Sequence, residues 1–273
     1  KLKKRDIILA VKKSNLKTKT KVTQTPDLKV VTKPKTLTKP YNDIDLNNWK
    51  LYSHVLTDTL WEFNSREKGN GHSYDYHGNY IPQIAQQLYE RYTKKGDIVL
   101  DLFFGSGTSG IEAVNMGRRC IGVELKQEMV DYVSEKFDNK TLVTDVNIIC
   151  GDSASSDIGY KIQDISNCET TEEFYDLFEE VARNGYDKLE KGRFAALIIG
   201  DKYAKGQYYP LSFGCMERMN RAGFITKAII VKNIEGNEKA KGKQANLWRY
   251  RALYGGFYIF KHEYIMIFQK PIK

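Results

Sequence analysis

The residues best placed for chemistry in this chain are an acid closing an apolar run, a glycine-rich turn behind it, and a second acid one apolar run later. Ile98-Val-Leu-Asp101 leads into Leu-Phe-Phe-Gly-Ser-Gly-Thr108, and Cys120-Ile-Gly-Val-Glu-Leu125 places Glu124 twenty-three residues after Asp101. Glycines at 105 and 107 let the backbone approach a bulky ligand, while an acid on the adjacent strand accepts hydrogen bonds from ribose hydroxyls. The turn opens a helix, whose free N-terminal amides suit a carboxylate or phosphate. A third acid, Asp152, follows the apolar run Asn147-Ile-Ile-Cys150 in Gly151-Asp-Ser153; it serves either a ligand or a simple cap. These residues describe a nucleoside site of unspecified kind. The spacing G-S-G-T-S-G also satisfies the dinucleotide pattern, but nothing downstream suits hydride chemistry.

The elements that must hold these residues alternate in type. Ile84, Leu88 and Tyr92 stand four apart, predicting an amphipathic helix over 83–94. Strands are expected at 98–101, 120–125 and 147–150, and helices at 108–116 (with Gly117 closing it) and 127–138. Phe174, Leu177, Phe178, Val181 and Tyr186 follow helical spacing over 170–189. A buried strand is read at 194–200, a helix at 210–220, a strand at 224–231 and a long strand or hairpin over 257–268. The alternation predicts an α/β fold, a doubly wound, mostly parallel sheet with an antiparallel closing strand.

Composition bounds the rest. The 273 residues are 41% hydrophobic, enough for one large core. No apolar run reaches the ~18 residues of a membrane helix, and no signal peptide is evident, so a soluble intracellular protein is expected. Cys120, Cys150, Cys168 and Cys215 are scattered singly and read as reduced core thiols; neither they nor the four histidines show metal-ligand spacing. Residues 1 to 40 hold thirteen Lys or Arg and two Asp, so the basic character of the chain sits there and the remainder is near neutral. Residues 1–41 therefore read as a flexible arm, either tracking phosphates or merely solubilising, and 42–273 as one catalytic-type domain. Trp248-Arg-Tyr-Arg251 mixes rings with bases, suiting a base-stacking surface or a packed loop edge. His262 reads as a core histidine.

Taken together, Asp101-Leu-Phe-Phe-Gly-Ser-Gly-Thr108, Glu124, Gly151-Asp-Ser153, the upstream His77-Gly-Asn-Tyr-Ile-Pro-Gln83 and the downstream His262-Glu-Tyr-Ile-Met-Ile-Phe268 resemble the S-adenosylmethionine-dependent DNA amino-methyltransferases that modify adenine N6 or cytosine N4. Leu102 departs from the proline usual in the first motif. The resemblance implies a Rossmann-like methyltransferase sheet, with S-adenosylmethionine as cofactor and S-adenosylhomocysteine as product. It implies cofactor contacts from Tyr80, Ile81, Pro82, Asp101, Phe103, Gly105, Gly107, Thr108, Glu124, Leu125, Asp152 and Ser153. It further implies double-stranded DNA as substrate, with base flipping, a restriction-modification setting and a nucleoid location; pairing as a homodimer or with a partner subunit fits the same family. Adenine is favoured slightly over cytosine.

One part of that pattern is missing. The family's catalytic tetrapeptide, a polar residue followed by Pro-Pro and an aromatic on the fourth strand, has no counterpart: the sequence contains no Pro-Pro, and Thr38-Lys-Pro-Tyr41 is a chance likeness. The stretch from Ser153 to Glu169 also lacks an apolar run able to form a buried strand. Either this is a cofactor-binding member without activity, or a stretch near Ser155 to Gly159 is absent from this sequence; an intact mass equal to 31.5 kDa would sink the second reading. Asp201 and Tyr203, after the strand at 194–200, are expected to line the target pocket.

Overall fold

A computed structural model describes residues 7–11, 39–69, 72, 79–138, 145–155, 164–234 and 245–273. Along the chain it contains β1 (Ile7–Val11), β2 (Leu60–Trp61), α1 (Pro82–Tyr92), β3 (Ile98–Asp101), α2 (Thr108–Asn115), β4 (Arg119–Glu124), α3 (Gln127–Asp138) and β5 (Val146–Cys150). These are followed by α4 (Thr171–Lys188), β6 (Phe194–Ile199), β7 (Lys202–Ala204), β8 (Gln207–Tyr209), α5 (Leu211–Arg221), β9 (Ile225–Asn233), α6 (Ala245–Gly255) and β10 (His262–Gln269). Eight strands form one sheet in the order β2-β9-β10-β6-β1-β3-β4-β5. β3, β4 and β5 are parallel, whereas β1 and β10 run antiparallel to both of their neighbours. The sheet is thus mostly parallel, and β10 is its antiparallel closing strand.

Helices cover both faces, and the alternation of side chains along each strand assigns them. Leu197, Ile199, Met266 and Phe268 join Phe174, Phe178, Val181, Cys215 and Met219 of α4 and α5 in one core layer. Ala196, Ile198, Ile265 and Ile267 join Ile84, Leu88, Tyr89, Ile111 and Val133 of α1, α2 and α3 in the other. Every residue of β6 is buried, which suits the unbroken apolar run Phe-Ala-Ala-Leu-Ile-Ile.

The centre of the sheet departs from expectation. Among the described residues no strand lies between β5 and α4; residues 156–163 fall outside them, so the stretch near Ser155 to Gly159, where an omission from the sequence was expected, is described only at Ser155. The slot between β3 and β6 is instead filled by β1, with Ile8 opposite both Asp101 and Ala196. Residues 7–11 were expected within a flexible arm. The physical reason for their place is hydrogen-bond accounting: β3 and β6 would otherwise each carry a row of unpaired backbone groups at the middle of the sheet. Ile-Ile-Leu-Ala-Val is the apolar, β-prone segment a central position accepts. Residues 12–38 of the arm lie outside the described residues.

Smaller corrections follow the same logic. The closing strand begins only at His262, so residues 257–261 are not part of it. The Trp248 run sits on a helix, α6, rather than a loop edge. Lys205 and Gly206, both with positive φ (52° and 77°), make a two-residue turn joining β7 to β8, the conformation that a tight hairpin favours. Cys120 and Cys215 are buried as expected, but Cys150 is exposed. Among the described residues no helix is long and apolar enough to cross a membrane.

Candidate functional site

The carboxyl ends of β3, β4 and β5 meet in one set of linked loops. Asp101 is 1% exposed and ends β3. Its Oδ1 accepts from the Phe103 amide at 2.9 Å and its Oδ2 from the Ser109 hydroxyl at 2.5 Å, so both oxygens hold the glycine turn in shape. Burial, only partly offset by those two donors, raises its pKa from 3.8 to about 6, and the nearby Glu124 charge adds to the rise. Gly105 and Gly107 have φ of 51° and 79°, left-handed values that other residues rarely adopt. Thr108 is buried and begins α2 directly behind Gly107.

Phe104 supports the turn from below. A Cβ on Gly122 would lie 2.3 Å from the Phe104 ring, and one on Gly110 2.7 Å from it. These two glycines therefore make room for a ring rather than for a ligand. The Phe104 amide donates to the Val123 carbonyl at 3.0 Å, which ties the turn to β4.

Glu124 closes β4 facing the turn. Its carboxylate accepts from the Gly105 amide at 3.0 Å and the Lys126 amide at 3.1 Å. Asp152 follows β5 and accepts from the Ala154 amide at 2.9 Å, the cap-like turn contact its position suggested. Ser153 donates from Oγ to the Leu102 carbonyl at 2.6 Å, binding the third loop to the first. Between them lies a narrow cleft lined by Phe103, Glu124, Leu125, Asp152 and Ser153, with Leu102, Ile165, Leu177 and Val181 among its apolar walls. Its free volume is about 20 Å³, room for about one water.

The chemistry of the lining is specific. Two carboxylates provide acceptors for hydroxyls or an amino group, and aliphatic walls provide flat contact for a base. The structure gathers Phe103, Glu124, Leu125, Asp152 and Ser153 in the lining, with Gly105 hydrogen-bonded to Glu124; Asp101, Gly107 and Thr108 shape the turn without lining the cleft. It does not bring Tyr80, Ile81 or Pro82 to the cleft lining. Tyr80 is buried in the layer beneath α1, and Ile81 and Pro82 start that helix, Pro82 at its first position, where the missing N–H costs nothing. His77 and Gly78 of the same segment lie outside the described residues. Sequence reasoning missed Leu177 and Val181 as cleft residues; their four-residue spacing marked a buried face without saying what it faced.

The second expected site lies farther along the same sheet edge. Asp201 accepts from the Ser212 amide at 2.9 Å and the Ser212 hydroxyl at 2.5 Å, and also from the Tyr208 hydroxyl. It therefore acts as a cap for α5. Burial, and next that contact, push the Tyr208 hydroxyl pKa upward. Tyr203 stacks on Phe257 at a centroid distance of 4.9 Å. Both Asp201 and Tyr203 line a cavity of about 720 Å³ between the β7–β8 hairpin and α6.

A family model described as a DNA methylase matches residues 3–135, from just before β1 into α3. Those residues, just under half of the chain, are similar to the DNA methylase family. The chain is also similar to named proteins over short stretches. It is 38% identical over 50 residues to Type II methyltransferase M.MjaII of Methanocaldococcus jannaschii, covering 18% of this chain and 9% of that protein. Over 65 residues it is 37% identical to Type II methyltransferase M2.DpnII of Streptococcus pneumoniae, covering 22% and 24%. Over 91 residues it is 31% identical to Type II methyltransferase M.Cfr9I of Citrobacter freundii, covering 33% and 28%. The chain thus matches less than a third of the length of each of these relatives.

Proposed function

We propose that this chain binds S-adenosylmethionine in the cleft at the ends of β3, β4 and β5 and methylates an exocyclic amine of a base in double-stranded DNA. Adenine N6 is the favoured target over cytosine N4. The observation that carries the reading is the convergence of Glu124 and Asp152 on a left-handed glycine turn, with the turn and Glu124 inside the segment that matches a DNA methylase family model. The residues suit the cofactor. Glu124 accepts from the ribose hydroxyls, Asp152 from the adenine amino group, and Leu102, Val123 and Leu125 flank the base. The α2 amides behind Gly107 meet the methionine carboxylate. When bound, the cofactor supplies a methyl group activated on a sulfonium. Asp201 and Tyr203 line the cavity where the flipped base is presented.

A second reading rests on a specific observation. β1 occupies the central slot in antiparallel sense, and no Pro-Pro follows any strand in the sequence. On that reading the chain binds cofactor and DNA but supports an active partner. Incubation of the purified protein with radiolabelled S-adenosylmethionine and unmethylated DNA separates the two. Incorporation of label supports the enzyme. Cofactor binding without incorporation supports the inactive subunit, and failure to bind the cofactor sinks both.

A further inference from the structure

Of the loops around the cleft, the one after β5 has a neighbouring strand on one side only, because β5 ends the sheet. The Gly151 amide donates to the Glu124 carbonyl at 3.0 Å, and the Ser153 hydroxyl donates to the Leu102 carbonyl at 2.6 Å, so both of these ties run inward to β4 and β3. A third tie comes from α4. The Asn184 side-chain amide donates to the Ser153 carbonyl at 2.8 Å, across 31 residues of sequence. Between these anchors the Asp152 carboxylate accepts from the Ala154 amide at 2.9 Å, and the Asp152 carbonyl from the Ser155 amide at 3.1 Å. The loop is therefore a short turn fastened at Ser153 from two directions.

The helix that supplies this tether also supplies the apolar wall. Leu177, Val181 and Asn184 stand four and then three residues apart, which puts them on one face of α4. The first two line the cleft, and Asn184 follows them one turn on, outside the lining. Asparagine is a poor choice for a helix interior, because its side chain competes for backbone hydrogen bonds, and Gly185 beside it is poorer still. Local helix propensity therefore does not account for Asn184, whereas the Ser153 carbonyl does. Ser153 is buried, and a buried carbonyl needs a donor.

We infer that Asn184 is a positioning residue for the cofactor cleft: by holding the Ser153 carbonyl it fixes the Asp152 carboxylate in the lining, and through it sets the preference of the cleft for adenine over a base with a carbonyl in place of the amino group. A carboxylate accepts a hydrogen bond from an amino group and repels a carbonyl oxygen in the same place. That distinction depends on alignment, since a hydrogen bond weakens steeply as its angle closes. Asn184 acts through Ser153 and Asp152 and does not itself touch the ligand. The inference rests on the proposed cofactor reading and names a residue that determines its selectivity.

The test titrates the full chain by calorimetry with S-adenosylhomocysteine and with its hypoxanthine analogue, in which a carbonyl replaces the amino group. Wild type should favour the adenine form by about 5- to 150-fold, the effect of leaving a buried acceptor without its donor. Asn184→Ala should narrow that preference by about 2- to 12-fold, the net effect of one hydrogen bond, with thermal unfolding confirming the fold. Asn184→Asp, which keeps the shape and loses the amide donor, should narrow it likewise and serves in place of the alanine variant if that one unfolds. Equal weakening of both ligands, with the preference unchanged, assigns Asn184 a merely structural role and overturns the inference. Unchanged affinity for both ligands in a folded variant overturns it too. A wild type that binds both ligands alike overturns the inference and leaves the cleft as a cofactor site, whereas a wild type that binds neither rejects the cofactor reading itself.

Discussion

Replacing Asp101 with asparagine should stabilise the protein at neutral pH. The carboxyl ends a central strand, is 1% exposed, and has its pKa raised by burial from 3.8 to about 6. At about 1.4 kcal/mol per pKa unit, the ionised group costs about 3 kcal/mol relative to its acid form. The sign follows from proton binding: the folded state holds this proton more tightly than the unfolded chain. The stabilisation is therefore complete below about pH 4, is lost as pH rises to about 6, and stays lost above it. Asparagine carries no charge to bury, still accepts from the Phe103 amide, and can donate to the Ser109 oxygen. Denaturant unfolding at several pH values should show Asp101→Asn and wild type alike near pH 4. Asp101→Asn should then gain about 2–3 kcal/mol by pH 8. A variant less stable than wild type at pH 8 would refute the reasoning, because it would mean the charge is held by its donors more strongly than burial opposes it.

Gly122→Ala should lose about 1–3 kcal/mol, read as a lower unfolding midpoint, because its methyl would lie 2.3 Å from the base of the Phe104 ring; an unchanged midpoint would mean that the ring is free to move. Thiol titration should modify Cys150 first, with Cys120 and Cys215 reacting only on unfolding, since both are buried and burial pushes the Cys120 thiol pKa well up; early loss of Cys215 would contradict the core assignment. Asp201→Ala should cost about 1 kcal/mol by removing the acceptor for the Ser212 amide at the start of α5; full stability would show that Tyr208 or water replaces it.

The ends of the sheet were more legible than its middle. Asp101, Glu124 and Asp152 were readable because each closes an apolar run, and a parallel α/β sheet sends such residues to one edge. α4 was readable from the spacing of Phe174, Phe178 and Val181, which one buried face requires. β1 was not readable, since Ile7–Val11 is five residues within a lysine-rich stretch and nothing local distinguishes a central strand from a linker. Its place depends on what β3 and β6 lack, a property of the assembled sheet. That Leu177 and Val181 line the cleft while Tyr80 packs in the other core layer likewise depends on packing between distant segments. The ring cluster around α6 was legible as composition only; its concavity required the β7–β8 hairpin.

Calorimetric titration of the intact protein with S-adenosylhomocysteine, in wild type and in Glu124→Ala, tests the central claim most directly. Wild type should bind one equivalent. Removing the proposed acceptor of the ribose hydroxyls should weaken binding by roughly 10- to 100-fold, as the loss of hydrogen bonds to a charged group implies, with the variant confirmed folded by its unfolding transition. No binding by wild type, or equal affinity in a folded Glu124→Ala, would contradict the assignment of this cleft.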